Sequence, residues 1–305
     1  MFVGGTGRCG THAVAALAAA SCRRTLVPAE LRIHTDLSAR PALTSGDAGR
    51  LRTARNLLGH WRRHPAPWDP GSPRGTHRIA PRRRHALGAA RLVAAPAAAP
   101  ERLCRLYLDA LLDPLAPAPG AWVEKTPDNC AAAGFLHRLY PELRLVHVVR
   151  DGRDVACSFM RVPWAPDEFE SALELWERKL LLAHRGTLEL PPERVHRVAI
   201  EDLIEHDRER SYRELTSFLG IDPGDHRTRE LFDHELIPGR ARIGRWQRDL
   251  PPIEHRRVTG LYRDSLERLA ESGVNPLPPL LTEGRPPAPR AQATSAIDPW
   301  ASRTA

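Results

Sequence analysis

The sequence predicts an α/β protein, a three-layer sandwich in which helices cover both faces of a central parallel sheet. Strand, loop and helix signals alternate along the chain, which is typical of parallel sheets with crossover helices. A glycine-rich turn, GGTGRCGTH at 4–12, separates a short apolar strand from an alanine-rich helix. A later β-branched run, at 143–149, leads into a charged turn and another helix. With 305 residues, we expect one large domain over 1–276.

The individual elements follow from apolar periodicity and from residues that begin or end helices. Thr126 is a favourable N-cap, Pro127 suits the first helical position, and Gly220 suits a helix end. Strands are predicted at 2–3, within 24–34, and at 121–123, 143–149 and 194–200. Helices are predicted after the glycine-rich turn to about Ser21, over 101–113, from 126 to near 140, around Ser158, over 167–185 and over 201–220.

Two segments fall outside this layered pattern. Residues 59–85 are basic and rich in proline, which predicts an exposed loop or an insertion. Residues 277–305 carry many prolines and an Ala/Ser/Thr-rich end, and we expect this tail to be disordered.

The composition favours an anionic ligand and excludes several classes of protein. The formal net charge is +8, and it comes largely from arginine, whose planar fork suits phosphate and sulfate oxygens. The alternative is a solvated basic surface. The five cysteines lie far apart without a C-x-x-C pair, which argues against a disulfide framework or a zinc site. The chain lacks an apolar run of about 18 residues, so we expect no membrane span. The glycine-rich turn precedes the apolar residues after His12 and only Arg8 is charged before them, so we expect no secretory signal and a cytoplasmic protein.

The glycine-rich turn partly fits two nucleotide-binding patterns. Gly5, Gly7 and Gly10 spell the dinucleotide fingerprint G-x-G-x-x-G, and Glu30 lies near the expected place of a ribose-binding acid. Gly5 and Gly10 also have the spacing of the nucleoside triphosphate loop, but its lysine is missing. A dinucleotide-dependent (Rossmann) oxidoreductase is therefore one alternative that this motif leaves open.

A third pattern keeps a cation inside the turn, at Arg8, and follows it with Gly10 and the hydroxyl of Thr11. This arrangement resembles the 5′-phosphosulfate loop of sulfotransferases that use 3′-phosphoadenosine 5′-phosphosulfate (PAPS). Two positions depart from that family pattern, since Cys9 replaces a serine and His12 replaces a threonine. Because Cys9 lies near a helix start, we expect its thiolate to be favoured and sensitive to oxidation.

The segment RDGRDVACS carries a second motif. Arg150 follows a strand and should lie at the carboxyl edge of the sheet, where ligands of α/β proteins gather. Ser158 should lie on the next helix, at a spacing that resembles the 3′-phosphate site of sulfotransferases. The alternative for Arg150 is an ion pair with Asp151 or Asp154.

Three further segments match the same family in the same order. EKTP resembles the segment in which a lysine, here Lys125, reaches the sulfuryl group. VAIEDL followed by FLGI resembles a structural strand-to-helix junction. RARIGRWQRDL matches the R-x-G-x-W segment that folds over the nucleotide, with a basic loop around a packed tryptophan as the alternative. Taken together, the matches identify the chain as resembling PAPS-dependent sulfotransferases, and they imply the P-loop NTPase-like fold of that family.

The competing classes explain fewer of these matches. A phosphatase would need an arginine at the position of Ala15, six residues after Cys9, and a kinase would need the loop lysine and a metal-binding acid. A binding protein for nucleotides or nucleic acid, without turnover, stays open as the alternative to an enzyme.

The resemblance implies a role for each matched residue. Arg8 and the backbone from Gly7 to Thr11 would bind the 5′-phosphosulfate, Lys125 would stabilise the moving sulfuryl group, and Arg150 with Ser158 would hold the 3′-phosphate. The implied donor-binding residues are Gly7, Arg8, Cys9, Gly10, Thr11, His12, Arg150, Ser158, Gly244, Arg245 and Trp246. PAPS would be the co-substrate without a metal, the acceptor would be a small molecule with a hydroxyl or amine, and we expect no nucleic-acid partner.

The acceptor also needs a general base. Glu30 is the first candidate, because VPAELR follows the first helix where related bacterial sulfotransferases carry a catalytic glutamate. His34, Glu124 and His12 are the alternatives. With Arg8 and Lys125, Glu30 completes the predicted catalytic set.

Overall fold

The computed structural model describes residues 1–21, 23–27, 30, 100–113 and 116–278. Five parallel strands form one sheet in the order β2-β3-β1-β4-β5. The strands are β1 (Phe2–Gly5), β2 (Thr25–Val27), β3 (Trp122–Lys125), β4 (Leu145–Val149) and β5 (Val195–Ala199). The predicted central parallel sheet is therefore confirmed.

Helices connect these strands and continue beyond the last of them. The α-helices are α1 (Thr11–Ala20), α2 (Pro100–Leu112), α3 (Ala133–Leu139), α4 (Gly152–Phe159), α5 (Phe169–Thr187), α6 (Arg208–Leu219), α7 (His226–His234), α8 (Pro238–Ala241), α9 (Trp246–Asp249) and α10 (His255–Glu271). Short 3-10 turns lie at Pro127–Asn129, Pro192–Arg194 and Pro252–Glu254, and a π-helix lies at Asp202–His206. None of the helices in these ranges is long and apolar enough to cross a membrane.

Two predicted helices differ from the structure at their starts. Thr126 precedes a 3-10 turn, and its hydroxyl donates to Glu124 Oε1 at 2.5 Å rather than capping the helix, so α3 begins only at Ala133. The segment 201–220 is divided at Asp207, where the backbone leaves the helical region between the π-helix and α6. The predictions for 59–85, for His34 and for the tail after 278 lie outside the described residues.

The two faces of the sheet carry different helices, because right-handed crossovers run in opposite directions from β1. On one face, α1 packs against β1, β2 and β3 and against α7. Tyr212 of α6 stacks on Phe232 of α7, with ring centroids 4.3 Å apart. On the other face, α5 packs against β1, α3, α4 and α10.

The strand order changes direction at β1, which has β3 on one side and β4 on the other. A crevice at such a switch point, outside the carboxyl ends of the strands, is where open α/β sheets bind ligands. Val3 lies beside Lys125 in the register, and Gly5 lies beside Val148. The glycine-rich turn, the end of β3 and Arg150 therefore meet at one edge of the sheet.

Candidate active site

The turn after β1 has the backbone of an anion-binding loop. Gly7, Arg8 and Gly10 have φ angles of 81°, 55° and 95°, and Arg8 is one of two non-glycine residues with positive φ in the described chain. A Cβ added at Gly10 would lie 2.9 Å from the Ile200 side chain, so this position favours glycine twice over. No side chain caps the start of α1, which leaves its first N–H groups and the positive end of the helix dipole facing the turn.

Cys9 lies beneath the turn rather than on its surface. Its side chain is fully buried, and a Cβ at Gly5 would lie 2.6 Å from the Cys9 sulfur. Burial raises the pKa of the Cys9 thiol above its ordinary value. The expectation of a favoured, oxidation-sensitive thiolate is therefore wrong, because desolvation outweighs the effect of the nearby helix start.

Lys125, at the end of β3, joins two residues that are far from it in sequence. Its Nζ donates to Glu30 Oε1 at 2.8 Å and lies 2.8 Å from His12 Nε2, while only 2% of its side chain is exposed. An ammonium group carries only donors, so His12 Nε2 is the acceptor in this contact when Lys125 is charged. The fold thus brings together three of the residues that the sequence proposed for the chemistry.

Glu124, which precedes Lys125, points into the protein. Successive side chains of a strand face opposite sides of the sheet. The Glu124 carboxylate is fully buried and accepts from Thr126 Oγ1 at 2.5 Å and from Asn129 Nδ2 at 2.7 Å. These contacts fit a role in holding the turn after β3 rather than in proton transfer.

Arg150 lies at the predicted edge of the sheet and is almost fully buried. Its Nη2 donates to Asp154 Oδ2 at 2.8 Å, so one of the two ion pairs considered for Arg150 is present. The other acid, Asp151, pairs with Arg153. Burial disfavours the charge of Arg150, but Asp154 and Glu201 outweigh it and raise its pKa.

A hydrogen bond connects the two phosphate motifs. Arg8 Nε donates to Ser158 Oγ at 2.9 Å across 150 residues of sequence. Burial lowers the pKa of Arg8, and three neighbouring guanidinium groups lower it further. They belong to Arg245, Arg150 and Arg242. The site thus gathers positive charge from three segments of the chain, which favours an anionic ligand with more than one charged group.

The R-x-G-x-W segment lies against α4. Gly244 N and Trp246 N both donate to Asp154, at 3.0 and 3.1 Å, and Arg245 pairs with Asp249 at 2.7 Å. The Trp246 ring is 1% exposed and lies 4.2 Å from the Arg153 guanidinium carbon. The packed tryptophan considered from the sequence is therefore what the structure shows.

Sequence reasoning left two residues of this site out of its predicted set. Arg242 is exposed and lies close enough to Arg8 to lower the pKa of Arg8. Because Arg242 is the arginine of the R-x-G-x-W match, the motif could have identified it. Asp154 appeared only as an ion-pair alternative for Arg150, whereas it also contacts the backbone about 90 residues later in the chain. Within the described ranges no group of three or more His, Cys, Asp or Glu side chains could hold a metal ion.

Comparisons with solved structures find bacterial sulfotransferases. The sulfotransferase domain from the curacin biosynthetic pathway is 15% identical, covers 88% of this chain and 96% of its own, and gives a TM-score of 0.49. The sulfotransferase domain of the Synechococcus PCC 7002 olefin synthase is 16% identical, with coverages of 86% and 92% and a TM-score of 0.46. Sulfotransferase STF1 from Mycobacterium tuberculosis H37Rv is 16% identical, with coverages of 76% and 70% and a TM-score of 0.45.

No curated protein sequence matches the chain. A family model, described as the sulfotransferase family, matches residues 1–225. That match spans β1 to β5 and extends through α6, so it includes the glycine-rich turn, Lys125, Arg150 and Ser158. The chain belongs to the sulfotransferase family.

Proposed function

We propose that this sulfotransferase takes its sulfuryl group from PAPS and transfers it to a hydroxyl or amine of a small molecule. The observation that carries the proposal is the hydrogen bond between Arg8 and Ser158, beside Arg150. It brings the residues proposed for the two ends of one donor nucleotide into the same site.

The 5′-phosphosulfate end of PAPS fits the turn after β1. Its negative oxygens would receive hydrogen bonds from the N–H groups between Gly7 and Thr11, and the Arg8 guanidinium would neutralise part of their charge. The uncapped start of α1 supports this role.

The 3′-phosphate end fits the arginines and Ser158. The Ser158 hydroxyl accepts from Arg8, and a phosphate oxygen would be a stronger acceptor for the same guanidinium. Mutual repulsion among the guanidinium groups around Arg8 would be relieved by a bound phosphate, which is a physical reason for affinity.

Transfer would be an in-line displacement at sulfur. The acceptor oxygen or nitrogen forms a bond to sulfur, and the bond from sulfur to the bridging oxygen breaks with its electron pair remaining on the departing phosphate. Lys125 would stabilise that oxygen and the sulfuryl group, and Glu30 would take the acceptor proton. Support comes from the 2.8 Å contact between Lys125 Nζ and Glu30 Oε1.

We also propose that the protein is cytoplasmic, in a compartment where thiols stay reduced. The described cysteines at 9, 104, 130 and 157 are free and buried. This arrangement requires no oxidising compartment.

Binding and turnover test the proposal separately. We expect 3′-phosphoadenosine 5′-phosphate (PAP), the product without the sulfuryl group, to raise the melting temperature of the protein more than adenosine 5′-phosphate does. Incubation with PAPS and a panel of alcohols, phenols and amines should then yield a product heavier by one sulfuryl group in mass spectrometry. Equal shifts with both nucleotides would contradict PAPS as the donor. Binding without any product would favour the non-catalytic alternative.

A further inference from the structure

We infer that Asp154 is a positioning residue for the 3′-phosphate of the donor, an inference that rests on the proposed function. The Asp154 carboxylate is itself negative, so it cannot bind a phosphate. It would act through Arg150 and through the segment of chain that carries Arg242 and Arg245.

Asp154 is fully buried and uses both oxygens. Oδ2 accepts from Arg150 Nη2 at 2.8 Å and from Gly244 N at 3.0 Å, and Oδ1 accepts from Trp246 N at 3.1 Å. One carboxylate on α4 therefore holds both the arginine after β4 and the backbone of a segment about 90 residues later.

Arg150 also contacts the segment that carries Arg242 and Arg245. The same Nη2 donates to the carbonyl oxygens of Ala241 and Arg242, at 3.0 and 2.8 Å. Arg242 has a φ of 54°, a left-handed conformation that persists in a non-glycine residue only where neighbouring contacts enforce it. The contacts from Arg150 and Asp154, on either side of Ile243, supply that enforcement.

The nitrogen atoms of the Arg150 guanidinium differ in their contacts. Nη2 is occupied by protein acceptors, whereas the buried Nε has no hydrogen-bond partner in the part of the chain that the structure describes. A buried, unpartnered donor is costly unless a ligand satisfies it. By fixing Nη2, Asp154 determines where the remaining donors of Arg150 point.

Asp154 has a second, opposing effect on an anionic ligand, because its charge lowers the positive potential of the site. If it acted only as a counter-charge, removing that charge would tighten PAP binding. If it acts by positioning, removing it would weaken binding of the nucleotide that carries a 3′-phosphate and would leave the nucleotide without one largely unaffected. The two effects have opposite signs and can be told apart.

The test compares PAP with adenosine 5′-phosphate by isothermal titration calorimetry on wild-type protein and Asp154→Asn. The asparagine keeps the size of the side chain but presents an N–H₂ group where one oxygen accepts, so at least one of the three donors loses its partner. We expect the dissociation constant for PAP to rise about tenfold or more and that for adenosine 5′-phosphate to change less than about threefold.

Asp233→Asn is the matched control, because it removes the carboxylate of another i,i+4 arginine pair, with Arg229, away from these contacts. It should leave both constants unchanged. In Asp154→Asn, an unchanged ratio of the dissociation constants for PAP and adenosine 5′-phosphate would overturn the inference, whether or not both constants rise. Tighter binding of PAP would overturn it as well.

Asp154→Glu covers the case in which the asparagine variant does not fold. It keeps the charge but lengthens the side chain by one methylene, so it cannot keep all three donors in place. The ratio of the dissociation constant for PAP to that for adenosine 5′-phosphate should therefore again rise. An unchanged ratio in that variant would overturn the inference. A wild-type protein that fails to prefer PAP would instead refute the proposed function, and this inference with it, before any variant is made.

Discussion

Lys125 lies between two groups that can each accept a hydrogen bond from it, Glu30 and His12. Both contacts are 2.8 Å long, so the position of Lys125 Nζ is held from two sides. In the proposed role, these contacts hold the Lys125 ammonium group where charge would develop during transfer.

Replacing Lys125 by methionine should remove that cation with little change in side-chain volume. We expect the turnover number to fall about a hundredfold and the affinity for PAP to change little, because PAP lacks the sulfuryl group. Steady-state kinetics and calorimetry would measure the two quantities. Lys179→Met is the control, since Lys179 lies on α5, is partly exposed and pairs with Asp128 rather than with Glu30 or His12. Full turnover in Lys125→Met would contradict the assigned role.

The general base can be assigned by comparing two variants. Glu30→Gln can still accept a hydrogen bond from Lys125 but cannot take a proton, so the rate should drop by about a hundredfold or more and the acid limb of the pH–rate profile should flatten. His12→Gln should keep that limb. If the limb disappears in His12→Gln and remains in Glu30→Gln, the proton goes to His12.

Among the elements, the turn from β1 into α1 depends most on backbone conformation. Its glycine-rich turn between strand and helix was predictable because glycine spacing is a local feature. The burial of Cys9 and the packing of Ile200 against Gly10 were not predictable, because they depend on strands that are distant in sequence. The same limitation applies to the π-helix at Asp202–His206, which sequence periodicity presents as ordinary helix.

Gly10→Ala should therefore impair both the fold and the donor site. Its φ of 95° is unfavourable for alanine, and the new methyl would crowd Ile200, so we expect a loss of about 1–3 kcal/mol in the free energy of unfolding. Gly260→Ala is the matched control, because it lies inside α10 with no atom within 4 Å of an added Cβ, and it should stabilise slightly. Urea denaturation of both variants, with PAP titration of Gly10→Ala, gives the measurement. Equal stability of the two would show that the turn tolerates a side chain.

Across the whole molecule, buried charges join the sheet to the C-terminal helices. Arg153 is fully buried on α4, pairs with Asp151 at 2.8 Å, and donates to Thr259 of α10 at 2.9 Å. Glu201 lies beside this pair, and its Oε1 accepts from Asp151 N at 2.9 Å. Glu201 Oε2 is buried and has no hydrogen-bond partner in the described chain. These groups couple the global stability of the fold to pH.

Burial raises the pKa of Glu201 from 4.5 to about 8. Between these values the folded protein holds a proton that the unfolded chain has released, so this residue lowers the free energy of unfolding as pH rises from 4.5 to about 8. Glu201→Gln, which is neutral throughout, should show a smaller decrease. Urea denaturation across that pH range would test this.

Glu271→Gln, on the exposed end of α10, provides a control that should behave as the wild type. If the stability of Glu201→Gln depends on pH as steeply as that of the wild type, another group is responsible. Since Glu201 also raises the pKa of Arg150, the same variant links stability to the donor site.

The order of strands and helices as far as α6, and the motifs that place the chain in its family, were determined by the sequence alone; α7 to α10 were not predicted. Apolar periodicity, glycine turns and arginine spacing act over a few residues, so they remain legible without a structure. The tertiary structure decided which way each side chain points. Strand register directs Lys125 toward Glu30 and His12 and directs Glu124 into the protein. Packing likewise buries Cys9 and makes Asp154 the connection between two distant segments, because burial and long-range hydrogen bonds depend on contacts that no local pattern specifies.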